Sequence, residues 1–183
     1  MISLIVGDIT LPKCDTIINP TNKYGIATTQ CSKSIIDYAG ENLEKEIEAT
    51  TELLKGKLLV GDFFVTKPYR LKRRGVKKIY HYILTEYPDG LFSISRLKEK
   101  LSLLVKDSFK NNTESIAIPP YGFYQIGIEK SIIEIIMLDI IREFINKGNL
   151  SVIDSDRDFI KRLQSVLEKS KITHIVKDNL EEK

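Results

Sequence analysis

The chain has 183 residues, of which 42% are hydrophobic and 29% charged, and its formal net charge is +3. This length and balance are typical of one globular domain with a sizeable core and leave little room for a second domain. They also exclude a membrane span, because the densest apolar stretch, 132–145, is interrupted by four charged residues, whereas a span needs roughly 20 nearly uncharged ones.

The first residues predict a strand rather than a secretion signal, because they lack a basic segment and soon reach Asp8. Two cysteines, Cys14 and Cys31, are too few and too isolated for a disulfide framework or a zinc site. We therefore expect reduced thiols, a cytoplasmic location, and neither a metal nor a cofactor.

Strand-like and helix-like segments alternate along most of the chain. Runs rich in β-branched and aromatic residues predict strands at 2–6, 15–19, 62–66, 78–84, 115–118, 150–153 and 172–176. Apolar residues at helical spacing predict helices from Thr29 or Ser32 to Gly40, at 41–54, from Ser93 or Ser95 to 109, at 129–147, and after Asp154, Ser155 or Asp156. Pro20 is expected to end the second strand.

This alternation predicts an α/β sandwich, in which a largely parallel sheet is covered by helices on both faces. No internal repeat or low-complexity linker divides it, so we expect a single domain over 1–177 and a charged, frayed tail over 178–183. In such sheets a ligand lies in a crevice at the carboxyl ends of the strands. The loops that matter are therefore 7–12, 19–31, 119–128 and 153–156.

Polar residues follow the first two predicted strands. Asp8 can accept hydrogen bonds from an amino group such as adenine N6, and an amide such as Asn19 or Asn22 offers a donor and an acceptor to a ribose diol. Each of these residues, taken alone, is more simply explained by turn chemistry. Their order after successive strands is what favours a binding site.

The segment 119–127 follows a short buried strand and leads into a long helix. A glycine-bearing loop at a helix N-terminus suits an anion, since free N–H groups and the helix dipole both favour phosphate. Tyr121, Phe123 and Tyr124 could flank a sugar or a base. The alternative is an aromatic loop that packs over the end of the sheet.

Other polar and charged residues have simple structural explanations. His81 lies within a predicted strand, where histidines are usually packed and hydrogen-bonded, and Cys31 is more simply a buried packing residue than a helix-stabilised thiolate. A basic cluster could meet nucleic acid, but a solvated loop is the simpler interpretation because no aromatic platform is interleaved with it. The cluster comprises Lys67, Arg70, Lys72, Arg73, Arg74, Lys77 and Lys78.

The ordered set of motifs over roughly residues 1–170 resembles the macrodomain family. The matching segments are Gly7-Asp8-Ile9-Thr10, 15–22, 35–40, 61–66, 78–81, 115–119 with Gly122 and Gly127, and 150–154. The resemblance implies a three-layer α/β/α sandwich with a mixed, mostly parallel central sheet.

The resemblance also implies a ligand, ADP-ribose or a related nucleotide. Asp8 would bind the adenine amino group, with a backbone contact from Ile9, and Asn22 would sit at the distal ribose. Loop 119–127 would wrap the diphosphate. The implied binding residues are Asp8, Ile9, Asn19, Asn22, Thr28, Thr29, Gln30, Cys31, Pro119, Tyr121, Gly122, Phe123, Tyr124, Gln125, Ile126, Gly127, Ile153 and Asp154.

The chain departs from the family pattern at three places. The stretch 27–30 replaces a run of glycines, Tyr124 replaces a loop glycine, and Ile153 or Asp154 replaces an aromatic residue that would stack on adenine. Three alternatives follow: an ADP-ribosyl hydrolase that uses Asn22 on a modified protein or nucleic acid, a module that has lost the nucleotide and binds proteins, and an RNA-binding domain that uses segment 67–78. The oligomeric state is left open.

Overall fold

The computed structural model describes residues 1–85, 94–110, 113–120, 123 and 127–179. Within these ranges the chain forms one seven-stranded sheet flanked by helices. The strands are β1 (Ile2–Val6), β2 (Thr16–Asn22), β3 (Phe63–Thr66), β4 (Lys78–Thr85), β5 (Ser115–Ile118), β6 (Asn149–Asp154) and β7 (His174–Asp178). The α-helices are α1 (Gln30–Ala39), α2 (Glu41–Leu53), α3 (Ile94–Ser108), α4 (Lys130–Phe144) and α5 (Arg157–Lys169), and a 3-10 helix spans Tyr69–Arg74.

The strand order is β3-β4-β2-β5-β6-β1-β7. The β3–β4 pair is antiparallel, and every other neighbouring pair is parallel. This is the mixed, mostly parallel sheet that the sequence predicts, and each predicted strand and helix is present in order.

The core lies in two layers, one on each face of the sheet, because the strand side chains alternate between the faces. Helices α3, α4 and α5 pack on one face over strand residues such as Leu4 and Val152. Helices α1 and α2 pack on the other face over residues such as Ile5 and Ile153. The result is the expected three-layer α/β/α sandwich. None of the helices in the described ranges is long and apolar enough to cross a bilayer.

Two predicted boundaries need correction. Strand β2 does not end at Pro20 but continues to Asn22. Beyond Ile17 it pairs in the described residues with β4 alone, so a residue without an N–H is tolerated where one side of the strand has no ladder. Strand β7 spans His174–Asp178, so it ends two residues past the predicted end at 176.

Asp178 and Asn179 are held by the domain. Asp178 pairs with Arg157 at 3.1 Å, and the Asn179 N–H donates to the Val6 carbonyl at 2.9 Å. A frayed tail that began at residue 178 could form neither of these two contacts. The expected tail residues 180–183 lie outside the described residues.

Candidate functional site

The carboxyl ends of the parallel strands meet at one edge of the sheet. Val6 at the end of β1 lies in register with Asp154 at the end of β6, and the Gly7 N–H donates to the Asp154 carbonyl at 2.9 Å. Helix α1 begins at the same edge, since Gln30 follows the loop that leaves β2. The candidate cleft is therefore bounded by the loops after β1, β2, β5 and β6.

Asp8 is held in a defined orientation by its own turn. Its Oδ1 accepts hydrogen bonds from the Thr10 N–H at 2.8 Å and from the Thr10 hydroxyl at 2.6 Å. Its second carboxylate oxygen accepts no hydrogen bond from the described residues, and the side chain is partly exposed. Asp8 thus forms the turn that its sequence suggests and still offers one acceptor to a ligand.

The Asn22 side chain holds the loop that follows β2 in place through three hydrogen bonds. Its Oδ1 accepts from the N–H groups of Tyr24 at 2.9 Å and Ile26 at 3.3 Å, and its Nδ2 donates to the Ile26 carbonyl at 3.1 Å. The side chain is only 2% exposed. In this arrangement Asn22 shapes the cleft wall, and its amide is already engaged rather than presented to a ribose.

Gly25 fixes the same loop against helix α2. It has a left-handed backbone with φ of 73°, and a Cβ there would lie 2.3 Å from Ile47 Cγ2. Only glycine permits both this conformation and this close approach. The loop after β2 therefore rests on α2, and its shape depends on Asn22 from inside and on Gly25 from outside.

Asn19 belongs to a buried polar chain inside the sheet. Its Nδ2 lies 3.0 Å from His81 Nδ1, and His81 Nε2 lies 2.8 Å from Thr66 Oγ1. Because the amide nitrogen only donates, Nδ1 of His81 accepts and Nε2 carries the proton. With 1% of its surface exposed, Asn19 lies beneath the cleft and not in it, which corrects its expected role as a ligand contact.

Helix α1 presents free backbone donors to the cleft. Its N-cap is Thr29, whose hydroxyl accepts from the Ser32 N–H at 3.0 Å. The N–H groups of Gln30 and Cys31 bond to no described residue, as expected for the first turn of a helix. Thr28 and Gln30 are exposed beside them, whereas Thr29 is buried.

Ser32 is a polar residue at this helix start that the sequence analysis considered only as a possible first residue of the helix and not as part of the site. Its Oγ is fully buried and makes no hydrogen bond with the described residues. Its position three residues after Thr29 was the available signal, since the first turn of a helix lining a cleft is where such a hydroxyl is useful.

Cys31 lies between the helix start and two carboxylates. Burial raises the pKa of its thiol well above the usual value, and the charges of Asp8 and Asp154 raise that pKa further. The thiol is therefore neutral near pH 7, in agreement with a packing role. These two carboxylates belong to the loops after β1 and β6, which meet where the Gly7 N–H donates to the Asp154 carbonyl.

Asp154, Ile9 and Ile153 form the floor of this region. Asp154 is 2% exposed, and its Oδ1 accepts from the Asp156 N–H at 2.9 Å. Ile9 and Ile153 are buried in the core layer beneath α1 and α2. Ile153 therefore packs against protein and does not replace the stacking aromatic that the family pattern has nearby.

The loop after β5 is described only in part. Pro119 is buried, and Phe123 is 1% exposed and packs on Tyr82 with ring centroids 6.2 Å apart. Phe123 thus belongs to the core rather than flanking a ligand. Gly127 is exposed with φ of 88°, a conformation that favours glycine. The remaining expected contacts in this loop, Tyr121, Gly122, Tyr124, Gln125 and Ile126, lie outside the described residues.

The site that emerges has a partly exposed carboxylate at Asp8 and a helix start with free donors. These features can bind a molecule that carries both an amino group and an anionic group. In the described ranges, no cluster of His, Cys, Asp or Glu side chains could hold a metal ion.

Comparison with known proteins agrees with this architecture. The model of the macro domain matches residues 18–135, more than half of the chain, so this protein belongs to the macro domain family. It is also 27% identical over 180 residues to an uncharacterized protein of Pyrococcus horikoshii, and the match covers 91% of this chain and 94% of that protein.

Solved structures share the fold. The Oceanobacillus iheyensis macrodomain with ADP superimposes with a TM-score of 0.74 and 21% identity, covering 92% of this chain and 91% of that one. The Trypanosoma brucei macrodomain in complex with ADP-ribose gives a TM-score of 0.70 and 19% identity, covering 91% and 68% of the two chains. At these identities the likeness establishes the fold.

Proposed function

We propose that this protein binds ADP-ribose or a close relative in the cleft at the carboxyl edge of its sheet. The observation that carries the proposal is the pairing of Asp8 with the first N–H groups of α1, since one carboxylate oxygen and these N–H groups form no hydrogen bond with the described residues. The first suits an adenine amino group and the second suits a phosphate. Structures of the same fold in complex with ADP and ADP-ribose support this choice of ligand.

Binding without hydrolysis is favoured by the state of Asn22. The hydrolase hypothesis requires this amide to reach the distal ribose, but all three of its hydrogen bonds go to the loop over residues 24–26. Among the described residues, no histidine or carboxylate side chain forms a hydrogen bond with it. We therefore assign Asn22 a positioning role.

The first test is calorimetric titration of the purified protein with ADP-ribose. We expect saturable 1:1 binding, and we expect Asp8→Ala to weaken it by about 1–3 kcal/mol, the usual cost of losing a partner for a buried polar group. Asp8→Asn is the sharper variant, since an amide oxygen can still accept from Thr10 but its nitrogen cannot accept from adenine. Asp37→Ala, an exposed carboxylate further along α1, is the matched control.

A ligand that carries inosine instead of adenosine tests the contact between Asp8 and the adenine amino group. Inosine diphosphate replaces the adenine amino group with a carbonyl, so wild-type protein should bind it more weakly than ADP, and Asp8→Asn should remove that preference. An unchanged preference would take Asp8 out of the base site. Absence of heat and of any thermal shift at millimolar ADP-ribose would contradict the proposed function and favour the alternative of a protein-binding module.

A further inference from the structure

A second concave surface lies at the opposite edge of the molecule from the candidate cleft. Thr66 at the end of β3 pairs with Ile79 near the start of β4, so the connection over residues 67–77 lies at the amino ends of the parallel strands. Helix α1 starts at the cleft and ends at Gly40, next to the 3-10 helix Tyr69–Arg74. A ligand here would not compete with one in the cleft.

Two cavities flank the 3-10 helix, and Tyr69 lines both of them. The first, of about 340 Å³, also contains Arg70 and Arg73 beside the start of α2. The second, of about 630 Å³, also contains Lys67 and Lys72. The strongest cationic segment of the sequence thus forms two positively charged hollows with an aromatic side chain between them.

Four of these cations are free to meet a ligand. The side chains of Lys67, Arg70, Lys72 and Arg73 are exposed and make no ion pair or hydrogen bond with the described residues. The charged neighbours are already compensated. Lys77 pairs with Asp15 at 2.9 Å, and Glu41, the acid lining the first cavity, pairs with Lys45 at 2.6 Å.

Arg70 is also positioned by the backbone. Its guanidinium lies over Gly40, where a Cβ would come within 3.2 Å of Arg70 Cζ. Gly40 has φ of 90°, so a glycine is favoured here both for its conformation and for the space it leaves. The arginine therefore has a defined location at the mouth of the first cavity.

Tyr69 is held between the cavities in a strained conformation. Its φ of 47° is left-handed, which is uncommon for a bulky residue and tends to mark functional positions. Glu46 braces the segment that leads into it, because its carboxylate accepts from the Lys67 N–H at 3.1 Å. The ring is partly exposed. It supplies the aromatic platform that the sequence analysis overlooked within the basic segment.

We propose that this surface binds a single-stranded polynucleotide, with a base stacked on Tyr69 and the flanking phosphates in the two cationic cavities. Stacking platforms alternating with cations are how proteins bind single strands without reading their sequence. A duplex keeps its bases inside and offers none to Tyr69. An acidic peptide could neutralise the cations but would leave the aromatic ring unused.

The test is fluorescence anisotropy of full-length protein with labelled 12-nucleotide single strands of mixed sequence, one of RNA and one of DNA. We expect saturable binding whose logarithmic salt dependence has a slope of about −3, as four neutralised phosphates predict. The charge-reversal pair Arg70→Glu and Arg73→Glu should weaken binding at least 10-fold and roughly halve the slope. A preference for the RNA or for the DNA would show whether the partner carries ribose or deoxyribose, and either preference supports the proposal.

Two variants of Tyr69 separate stacking from charge. Tyr69→Ala should weaken binding about 10-fold, and Tyr69→Phe, which keeps the ring, should retain it. The matched control is Lys161→Glu with Lys169→Glu on α5, which changes the net charge equally on a distant exposed surface. Circular dichroism and thermal melting of each variant show whether it is folded.

Four outcomes would overturn the proposal. The first two are absence of binding of both strands at low salt, and binding of a duplex that is as tight as binding of a single strand. The other two are displacement by poly-glutamate as readily as by unlabelled single strand, and a loss of affinity in the α5 control equal to that of the charge-reversal pair. A folded Tyr69→Ala variant with unchanged affinity would also reject it, since charge alone would then explain the binding.

Discussion

His81 is the clearest case in which a single residue links packing to pH. It is fully buried within β4, stacked on Phe64, and bonded at both ring nitrogens to Asn19 and Thr66. Burial lowers the pKa of His81 from 6.5 to about 3. The ring is therefore neutral in the folded protein throughout the physiological range, where it completes a polar chain across three strands.

This pKa predicts how stability depends on pH. Unfolded histidine takes up a proton below about pH 6.5, whereas the folded residue does not. The stability that His81 contributes to the folded protein is therefore complete above pH 6.5 and is lost as the pH falls toward 3. We expect the free energy of unfolding, measured by urea titration between pH 7.5 and 5, to fall below pH 6.5 by up to about 1.4 kcal/mol per pH unit.

The variant His81→Gln should be less stable at pH 7.5, but its stability should be nearly independent of pH over this window. His174→Gln, which replaces the other histidine near the C-terminal edge of the sheet, serves as the control and should keep the wild-type slope. If His81→Gln kept that slope, other groups would be responsible for the pH dependence.

At the scale of elements, Asp156 joins two helices. It caps α5 by accepting from the N–H groups of Asp158 at 2.9 Å and Phe159 at 3.1 Å, and it forms an ion pair with Lys130 in the first turn of α4. Burial opposes ionisation of Asp156, but the bond from Lys130 and the two N–H groups outweigh it, so the pKa of this carboxyl is lowered. Sequence patterning allowed Asp154, Ser155 or Asp156 as the cap, and the structure selects the third.

Removal of this cap should destabilise the protein by about 1–2 kcal/mol. The expected effect of Asp156→Ala, measured by thermal or urea unfolding at pH 7, is larger than that of Asp156→Ser, which keeps an N-cap acceptor but loses the charge for Lys130. Asp158→Ala, which removes the neighbouring acid in the first turn of α5, is the control. Equal losses for Asp156→Ala and Asp158→Ala would assign the effect to the helix dipole instead of the cap.

At the scale of the whole molecule, the C-terminal edge strand determines where the domain ends. Truncation after Asn179 should leave the melting temperature within about 1 °C, because the removed residues are mostly charged. Truncation after Lys177 should lower it by several degrees, roughly 4 °C per kcal/mol, since the Arg157 ion pair and the hydrogen bond to Val6 are lost. Differential scanning calorimetry distinguishes the two. Equal melting temperatures for the two truncated proteins would place the end of the domain at residue 177.

The two edges of the sheet also have different surfaces. The carboxyl edge carries Asp8 and the start of α1, whereas the amino edge carries the 3-10 helix, whose Arg70, Lys72 and Arg73 form no ion pair within the described residues. The strand directions make this separation possible, because connections that follow the parallel strands leave at the carboxyl edge, whereas segment 67–77, which joins antiparallel β3 to β4, lies at the amino edge. The proposed nucleotide cleft and the proposed single-strand surface can therefore be occupied independently.

Local patterning was sufficient for the element order and the fold class, and the resemblance of the ordered motifs indicated the family. Periods of two and of 3.6 residues, together with caps such as Thr29 and stops such as Gly40, are properties of short segments and can be detected in a sequence. The position of Asp8 at the carboxyl edge was also predictable, since it comes directly after the first buried strand; its contact with a ligand stays a prediction.

Only the tertiary structure decided which polar groups remain available to a ligand. Asn19, Asn22 and Phe123 have the right chemistry in sequence, but His81, the backbone at Ile26 and Tyr82 engage them in the fold. The proposed role of Tyr69 likewise depends on a cavity that brings residues 39–42 against the 3-10 helix, beside a second cavity formed by residues 67–77. The physical reason is that a sequence pattern indicates which side chains can form a hydrogen bond or stack. Long-range packing determines which group each of these side chains contacts in the folded protein.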